Sequence, residues 1–272
     1  MLDKYKWPED ELRYNRNIVT DYERILPMTG LTLPYLQRNF QLAKAYQAVD
    51  SIPQAIKGFE ECLSLNAKMY LDTAPKTCMA NEIDIYKALI ECNSTMGEQY
   101  EDEESVSQEW YGKALNASDT LIRIMERLRK EDDADQTYRL ALQYYRNAIL
   151  CTQTDWNSIA LGQLDKSNSL LIELYNDKYA AETEFEIIRN YYVKGLIAED
   201  MNNSTLAKEC YQAAVSYAEK ATDPVGVALL YNAVVTNWLT ILENLDGGKD
   251  AATIAKLKQT KASLSKWVKK GK

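Results

Sequence analysis

Apolar residues recur with a period near 3.6 along almost the whole chain, and the interruptions are only a few residues long. No other feature constrains the fold as much. A link of a few residues cannot run back along a helix, so successive helices must be antiparallel neighbours. The spacing predicts an opening helix over 8–26. Further helices follow over 33–49, 52–70, 76–98, 104–130, 134–152, 156–176, 180–201, 204–221, 224–243 and 249–268. The fold class is therefore all-α, with about eleven helices. Pro8 suits a first turn, and Pro27 and Gly30 stop the first helix. Asp50-Ser51, Lys130 to Asp133, Asn176-Asp177, Asn202-Asn203-Ser204, Thr222-Asp223 and Asp246-Gly247-Gly248 are the short links. Ser51, Ser204 and Asp223 are the expected N-caps, each able to accept from the following turn.

The first helix is followed by helix pairs, the organisation of a repeat array. One helical-repeat domain is expected over 1–272. It divides into an N-terminal helix (1–30), helix-pair repeats (31–248) and a Lys-rich C-terminal capping helix (249–272). An array escapes the size limit of a single core because each unit packs only on its neighbours.

Composition narrows the function classes. The 10 glycines and 6 prolines are too few for the turns of a sheet-rich chain. There is no histidine, which removes the commonest general base and a frequent metal ligand. Cys62, Cys78, Cys92, Cys151 and Cys210 are dispersed with no C-x-x-C pair, against zinc and dithiol sites. No phosphate-binding glycine loop, serine elbow or metal-ligand spacing is present. The expectation is no enzyme, no cofactor and no metal.

Net charge is −8, unevenly placed. Lys249 to Lys272 hold eight lysines and one acid, so +7 sits on a body of −15. An acidic body argues against nucleic acid as ligand. The opening MLDKYKWPEDELRY has no apolar signal segment, and no run is long enough to span a membrane. Reduced thiols in a cytoplasmic setting are expected, a trimmed leader or anchor being the alternative.

The second helix of one pair shows its buried stripe at Ala207, Cys210, Tyr211, Ala214 and Ala218. With Tyr191 and Gly195 in the preceding helix, this resembles the tetratricopeptide-repeat (TPR) family. A second match has Leu42-Ala43, Tyr46, Ala55, Phe59 and Cys62. Ser107, Tyr111 and Ala114 keep only the second-helix half, and the pairs over 134–176 and 224–268 do not hold the register. The resemblance implies a TPR-like α-solenoid whose first helices line a concave groove. By offset, that groove holds Gln37, Phe40, Lys44 and Gln47 in one pair, and Arg189, Tyr192, Leu196 and Glu199 in another. The Lys–Asn pattern of the subgroup that clamps chaperone tails is absent, which argues against that ligand.

Arg139, Gln143 and Arg146 share a helical face at i, i+4 and i+7 beside Tyr138, Tyr144 and Tyr145, a pattern suited to an acidic or phosphorylated segment. Tyr144-Tyr145-Arg146 faintly resembles part of the 14-3-3 clamps, without their earlier Lys and Arg. The acidic clusters at Glu98 to Glu104, and at Glu131, Asp132, Asp133 and Asp135, read as solvated loops rather than calcium loops. The expected function is a non-catalytic scaffold or adaptor for a protein or peptide partner. A peptide-sensing module that changes conformation and a 14-3-3-like clamp are the alternatives. Membrane contact through Trp267, Lys266, Lys269 and Lys270 is the lesser reading of the C-terminal helix.

Overall fold

The computed structural model describes residues 8–29, 33–70, 75–130, 132–177, 179–244 and 250–268. Among them are eleven α-helices and no strand. These are α1 (Pro8–Thr29), α2 (Leu33–Ala48), α3 (Ile52–Met69), α4 (Pro75–Gln99), α5 (Glu104–Leu128) and α6 (Ala134–Thr152). They continue as α7 (Asn157–Asp177), α8 (Ala180–Asp200), α9 (Ser204–Ala218), α10 (Ala228–Asn244) and α11 (Ala251–Val268). Gly30 and the Asp246-Gly247-Gly248 link lie outside the described residues.

The helices fall into two compact units, Met1–Leu128 and Arg129–Lys272. In the first, α1 packs on α2, and α2/α3 and α4/α5 form antiparallel pairs joined through α3 and α4. In the second, α6/α7, α8/α9 and α10/α11 are the pairs, and α8 touches both α6 and α10. The first unit buries Ala43, Ala55, Phe59, Ile85 and Cys92 around one centre. The second gathers Ile188, Tyr211, Val234, Val235, Ile241, Leu257 and Leu264.

Three pairs share one turn. Asp50, Asp155 and Asn202 follow α2, α6 and α8 with φ of 58°, 59° and 57°. In each case the next N–H closes back on the helix: Ser51 on Tyr46 O at 2.9 Å, Trp156 on Cys151 O and Asn203 on Ala198 O at 2.8 Å. This is the Schellman ending, usually made with glycine; Asp and Asn are among the few other residues that tolerate the left-handed region.

The turn sets a common register. Seven positions before it stand Ala43, Ala148 and Gly195; nine positions after it stand Phe59, Leu164 and Tyr211. Between these, Ala55, Ala160 and Ala207 are equivalent, and three positions beyond Phe59, Leu164 and Tyr211 so are Cys62, Ser167 and Ala214. All twelve are buried. The α6/α7 pair therefore keeps the register that its sequence hides, with Leu164 in place of the aromatic. In α4/α5 the link differs, yet Gly97 faces the Tyr111 ring and Ser107 Oγ donates to Gly97 O at 2.8 Å. The first-helix half is present there as well.

The capping expectations change. Ser51 stands at the N-cap of α3 without a side-chain bond. Asn203, not Ser204, caps α9, with Leu206 N donating to its Oδ1 at 3.1 Å. Asp223 Oδ1 accepts from Val225 N and Gly226 N and shapes a turn, so α10 begins at Ala228 rather than 224. Its backbone is held from outside the turn: the buried Glu184 carboxylate of α8 accepts from Thr222 N at 2.8 Å, Thr222 Oγ1 at 3.0 Å and Asp223 N at 3.0 Å.

Candidate functional site

The common register fixes which residues share the open strip of each first helix. In α8 these are Arg189, Tyr192, Leu196 and Glu199, all half-buried. The equivalent residues of α6 are Leu142, Tyr145, Ile149 and Thr152, also half-buried. Sequence reading missed this α6 set because the repeat around Ala148 lacks an aromatic at position 164. The Arg189 guanidinium lies over the Tyr145 ring, 3.7 Å from its centroid, so the two strips meet.

Arg189 also pairs with Glu186, four-fifths or more shielded, and Arg146 of α6 acts on the same carboxylate. Burial raises the Glu186 carboxyl above its ordinary range despite both guanidiniums. Arg189 Nε is buried and has no acceptor. The seam thus holds two guanidiniums and one carboxylate. Arg139 is exposed and is paired within its own helix to Asp135 at 2.9 Å.

Gln143 does not share the surface of Arg139 and Arg146. It is 3% exposed, whereas both arginines are open. The register explains this: Gln143 is equivalent to Asn190, whose side chain donates to Ser167 Oγ at 2.8 Å on α7. That edge of the first helix is a packing edge in this repeat type, although Gln143 stands within about 60° of Arg139 and Arg146 around the helix.

Tyr192 and Glu199 are tied into the fold. The Tyr192 ring packs on Tyr211 with centroids 6.1 Å apart, and Asn237 of α10 donates to its hydroxyl at 3.5 Å. Glu199 accepts from the Tyr211 hydroxyl, and burial together with that bond pushes the Tyr211 phenol well up. Leu196 has no such tie.

The first unit repeats the theme. Phe40 packs on Phe59 with centroids 5.4 Å apart, equivalent to Tyr192 on Tyr211. Lys44 donates to Gln47 Oε1 at 3.0 Å, approaches Glu91 of α4 at 3.6 Å and lies 5.9 Å from the Phe59 centroid. Gln37 and Phe40 line a cleft between α2 and α4, with Leu36, Arg38, Gln41, Asn81, Asp84 and Ile85 among its other walls.

Elsewhere the chemistry is quiet. None of the five cysteines is in a disulfide, and all are buried. Desolvation pushes the Cys62 thiol up to about 12 and those of Cys92 and Cys210 to about 11, far from a reactive thiolate. Among the described residues, no group of three or more Cys, Asp or Glu could hold a metal ion. No described helix is long and apolar enough to cross a membrane. In α11, Leu257 and Leu264 are buried, while Lys256 and Lys258 pair at 2.7 Å with Glu219 and Glu243. The side chains of Lys266 and Trp267, and all of Lys269 and Lys270, lie outside the described residues.

A family model described as Tetratricopeptide repeat matches residues 188–220, the α8/α9 pair. No curated protein matches the sequence. Among solved structures, a Podosopora anserina protein assigned as a kinesin light chain with nearly identical TPR-like repeats is similar at 11% identity. It aligns over 85% of this chain and 94% of its own, with a TM-score of 0.52, and shows the fold alone. BtubC (BKLC) from P. vanneervenii is 14% identical over 96% of this chain and 93% of its own, with a TM-score of 0.48.

Proposed function

We propose that this chain, a TPR-like helical-repeat protein, is a non-catalytic scaffold that binds an acidic segment of a partner protein on the α6 and α8 strips of its second unit. Folds of this kind are generally protein–protein interaction scaffolds and typically carry no catalytic centre. One observation carries the finer reading: Arg189, stacked on Tyr145, pairs with the half-buried carboxylate of Glu186, and the charge of Arg146 acts on that same carboxylate. Two guanidiniums stand against one carboxylate there, so the seam retains positive character in a chain of net −8. Beside it, Leu142, Ile149 and Leu196 offer half-buried apolar contact. An amphipathic acidic segment matches both halves of that surface.

The test is capture of a stoichiometric partner from native extract by the whole chain, compared with Arg146→Glu and Leu196→Glu. The reading expects both variants to lose the partner while keeping the melting temperature. It also expects capture by the unsubstituted chain to weaken with salt. A partner retained equally by both variants overturns the site; no stoichiometric partner at all overturns the scaffold reading.

A further inference from the structure

We infer that a cavity at the helix ends of the second unit is a binding site for a small organic cation, an alkylated ammonium carried on an apolar body.

The cavity holds about 500 Å³, within the range of small-ligand sites. The beginnings of α6 and α8 form two of its walls. Leu174, near the end of α7, and Tyr179, in the link to α8, form the rest. It shares no residue with the open strips of α6 and α8.

The side chains there are of three kinds. Leu174 is apolar and 8% exposed. Tyr138 and Tyr179, both half-buried, bring aromatic rings, and Tyr138 is anchored on the core group of Ala141, Leu171 and Ile187. Asp135 and Glu182 bring carboxylates, both exposed, and no described wall carries a basic side chain. Each acid stands in the first turn of its helix, a favourable place for negative charge.

Hydrogen-bonding capacity narrows the ligand. Thr183, the remaining polar wall, is fully buried, and its hydroxyl donates to Tyr179 O at 2.7 Å. Two phenol hydroxyls are then the side-chain donors of the described walls, against two carboxylates. An anion finds few donors there and two like charges. A primary amine or a guanidinium would leave N–H groups unpaired against Leu174 and the rings. An alkylated ammonium has few N–H groups or none, covers apolar surface, and is attracted by both the ring faces and the carboxylates.

The neighbouring cations do not cancel this. Arg139 is bonded to Asp135 at 2.9 Å, and Arg189, whose charge reaches Tyr138, is paired with Glu186. Glu182 has no ion pair with another described residue. Asp132 and Asp133 stand just before α6 and add to the negative mouth. The site is independent of the acidic-segment surface, which uses other residues and the opposite charge.

Isothermal titration calorimetry on the whole chain tests it with four probes. Benzyltrimethylammonium carries both charge and body. Tetramethylammonium keeps the charge without the body, benzyl alcohol the body without the charge, and phenylacetate reverses the charge. Benzyltrimethylammonium is expected to bind about threefold or more tighter than either half, and phenylacetate not to bind. Glu182→Gln with Asp135→Asn, both exposed, should weaken the cation by about fivefold. Tyr179→Leu should weaken it by about threefold. Melting curves keep folding separate from binding, and the carboxylate variant decides the matter if Tyr179→Leu does not fold. Undiminished binding to the carboxylate variant overturns the site, as does benzyl alcohol binding as tightly as the cation. So does preferred binding of phenylacetate, which the α8 N-terminus, without a side-chain cap, would then be holding. No heat from benzyltrimethylammonium at millimolar concentration overturns it as well, and leaves the acidic-segment surface standing on its own partner test.

Discussion

The Tyr211 ring lies against the bare Cα of Gly195: a side-chain carbon added at 195 would stand 2.8 Å from Tyr211 Cδ1 and Cζ, inside any real contact. The glycine sits in the middle of α8, where it costs about 1 kcal/mol relative to alanine. The ring uses the space so freed to lie between α8 and α9, carry Tyr192 on one side, and reach Glu199 with its hydroxyl. Gly195→Leu should therefore destabilise by about 1–3 kcal/mol or more, through overpacking. A denaturation midpoint that does not move would show that the ring has free room.

Gly162 provides the opposite case. It lies exposed within α7 and a side-chain carbon there meets nothing within 4 Å. Gly162→Ala should stabilise by about 0.5–1 kcal/mol, from backbone entropy alone. Measured in the same urea titration, the two glycines should move the midpoint in opposite directions.

The same geometry says how much of this fold could be read before its coordinates. The pairs around Ala43/Phe59 and Gly195/Tyr211 were legible because each kept a small residue and an aromatic sixteen positions apart. The pair around Ala148 was not, because Leu164 fills the aromatic site and leucine is unremarkable on any helix. Gly97 was missed because it meets Tyr111 at a spacing of fourteen, across a link of another length. At the candidate site, the tyrosines and arginines were noticed, but their roles depend on neighbours from other helices. Nothing in the local spacing tells that Gln143 is buried while Arg139 and Arg146 are open, since helical angles separate them by little.

The open strips divide into residues that hold the fold and residues free to bind. Phe40 and Tyr192 each lean on the aromatic of their own pair, so Phe40→Glu and Tyr192→Glu should cost about 1–3 kcal/mol. Leu196→Glu should leave the melting temperature within a few degrees. Offset alone places all three in the groove and does not tell them apart. Thermal melts of the three variants, side by side, separate those outcomes: equal melting temperatures would return Phe40 and Tyr192 to the binding surface.

Glu184 is a distinct kind of joint. Its carboxylate is 2% exposed and takes three donors from Thr222 and Asp223, tying the start of α8 to the link between α9 and α10. Glu184→Ala would leave two backbone N–H groups and a hydroxyl unpaired. The expected loss is about 2–3 kcal/mol, with faster amide exchange at 222–228 before the rest of the unit. Uniform exchange across α8, α9 and α10 would show that the link does not depend on this carboxylate.

The Lys-rich last helix turns on which of its faces matters. Its apolar stripe is engaged: Leu257 and Leu264 are 2% and 9% exposed within the core that contains Trp238, Leu239 and Leu242, and Ile254 packs beside them. Lys256 and Lys258 are engaged as well, though only at the surface. The Lys256–Glu219 and Lys258–Glu243 pairs are largely solvated, so Lys256→Ala and Lys258→Ala should each cost under about 1 kcal/mol. Leu257→Ala, by contrast, empties a core position and should cost about 2–5 kcal/mol. This asymmetry is what a capping helix requires: an apolar face that closes the stack and a charged face that keeps it from stacking further. A membrane anchor would reverse it, since its apolar face would have to leave the core to reach lipid. Deleting 249–272 should therefore lower stability and expose the α10 surface to an apolar dye. Flotation with anionic vesicles decides the matter: the intact chain should stay in the aqueous fraction at physiological salt. Robust flotation that is lost on deletion, with stability unchanged, would make the helix an anchor and not a cap.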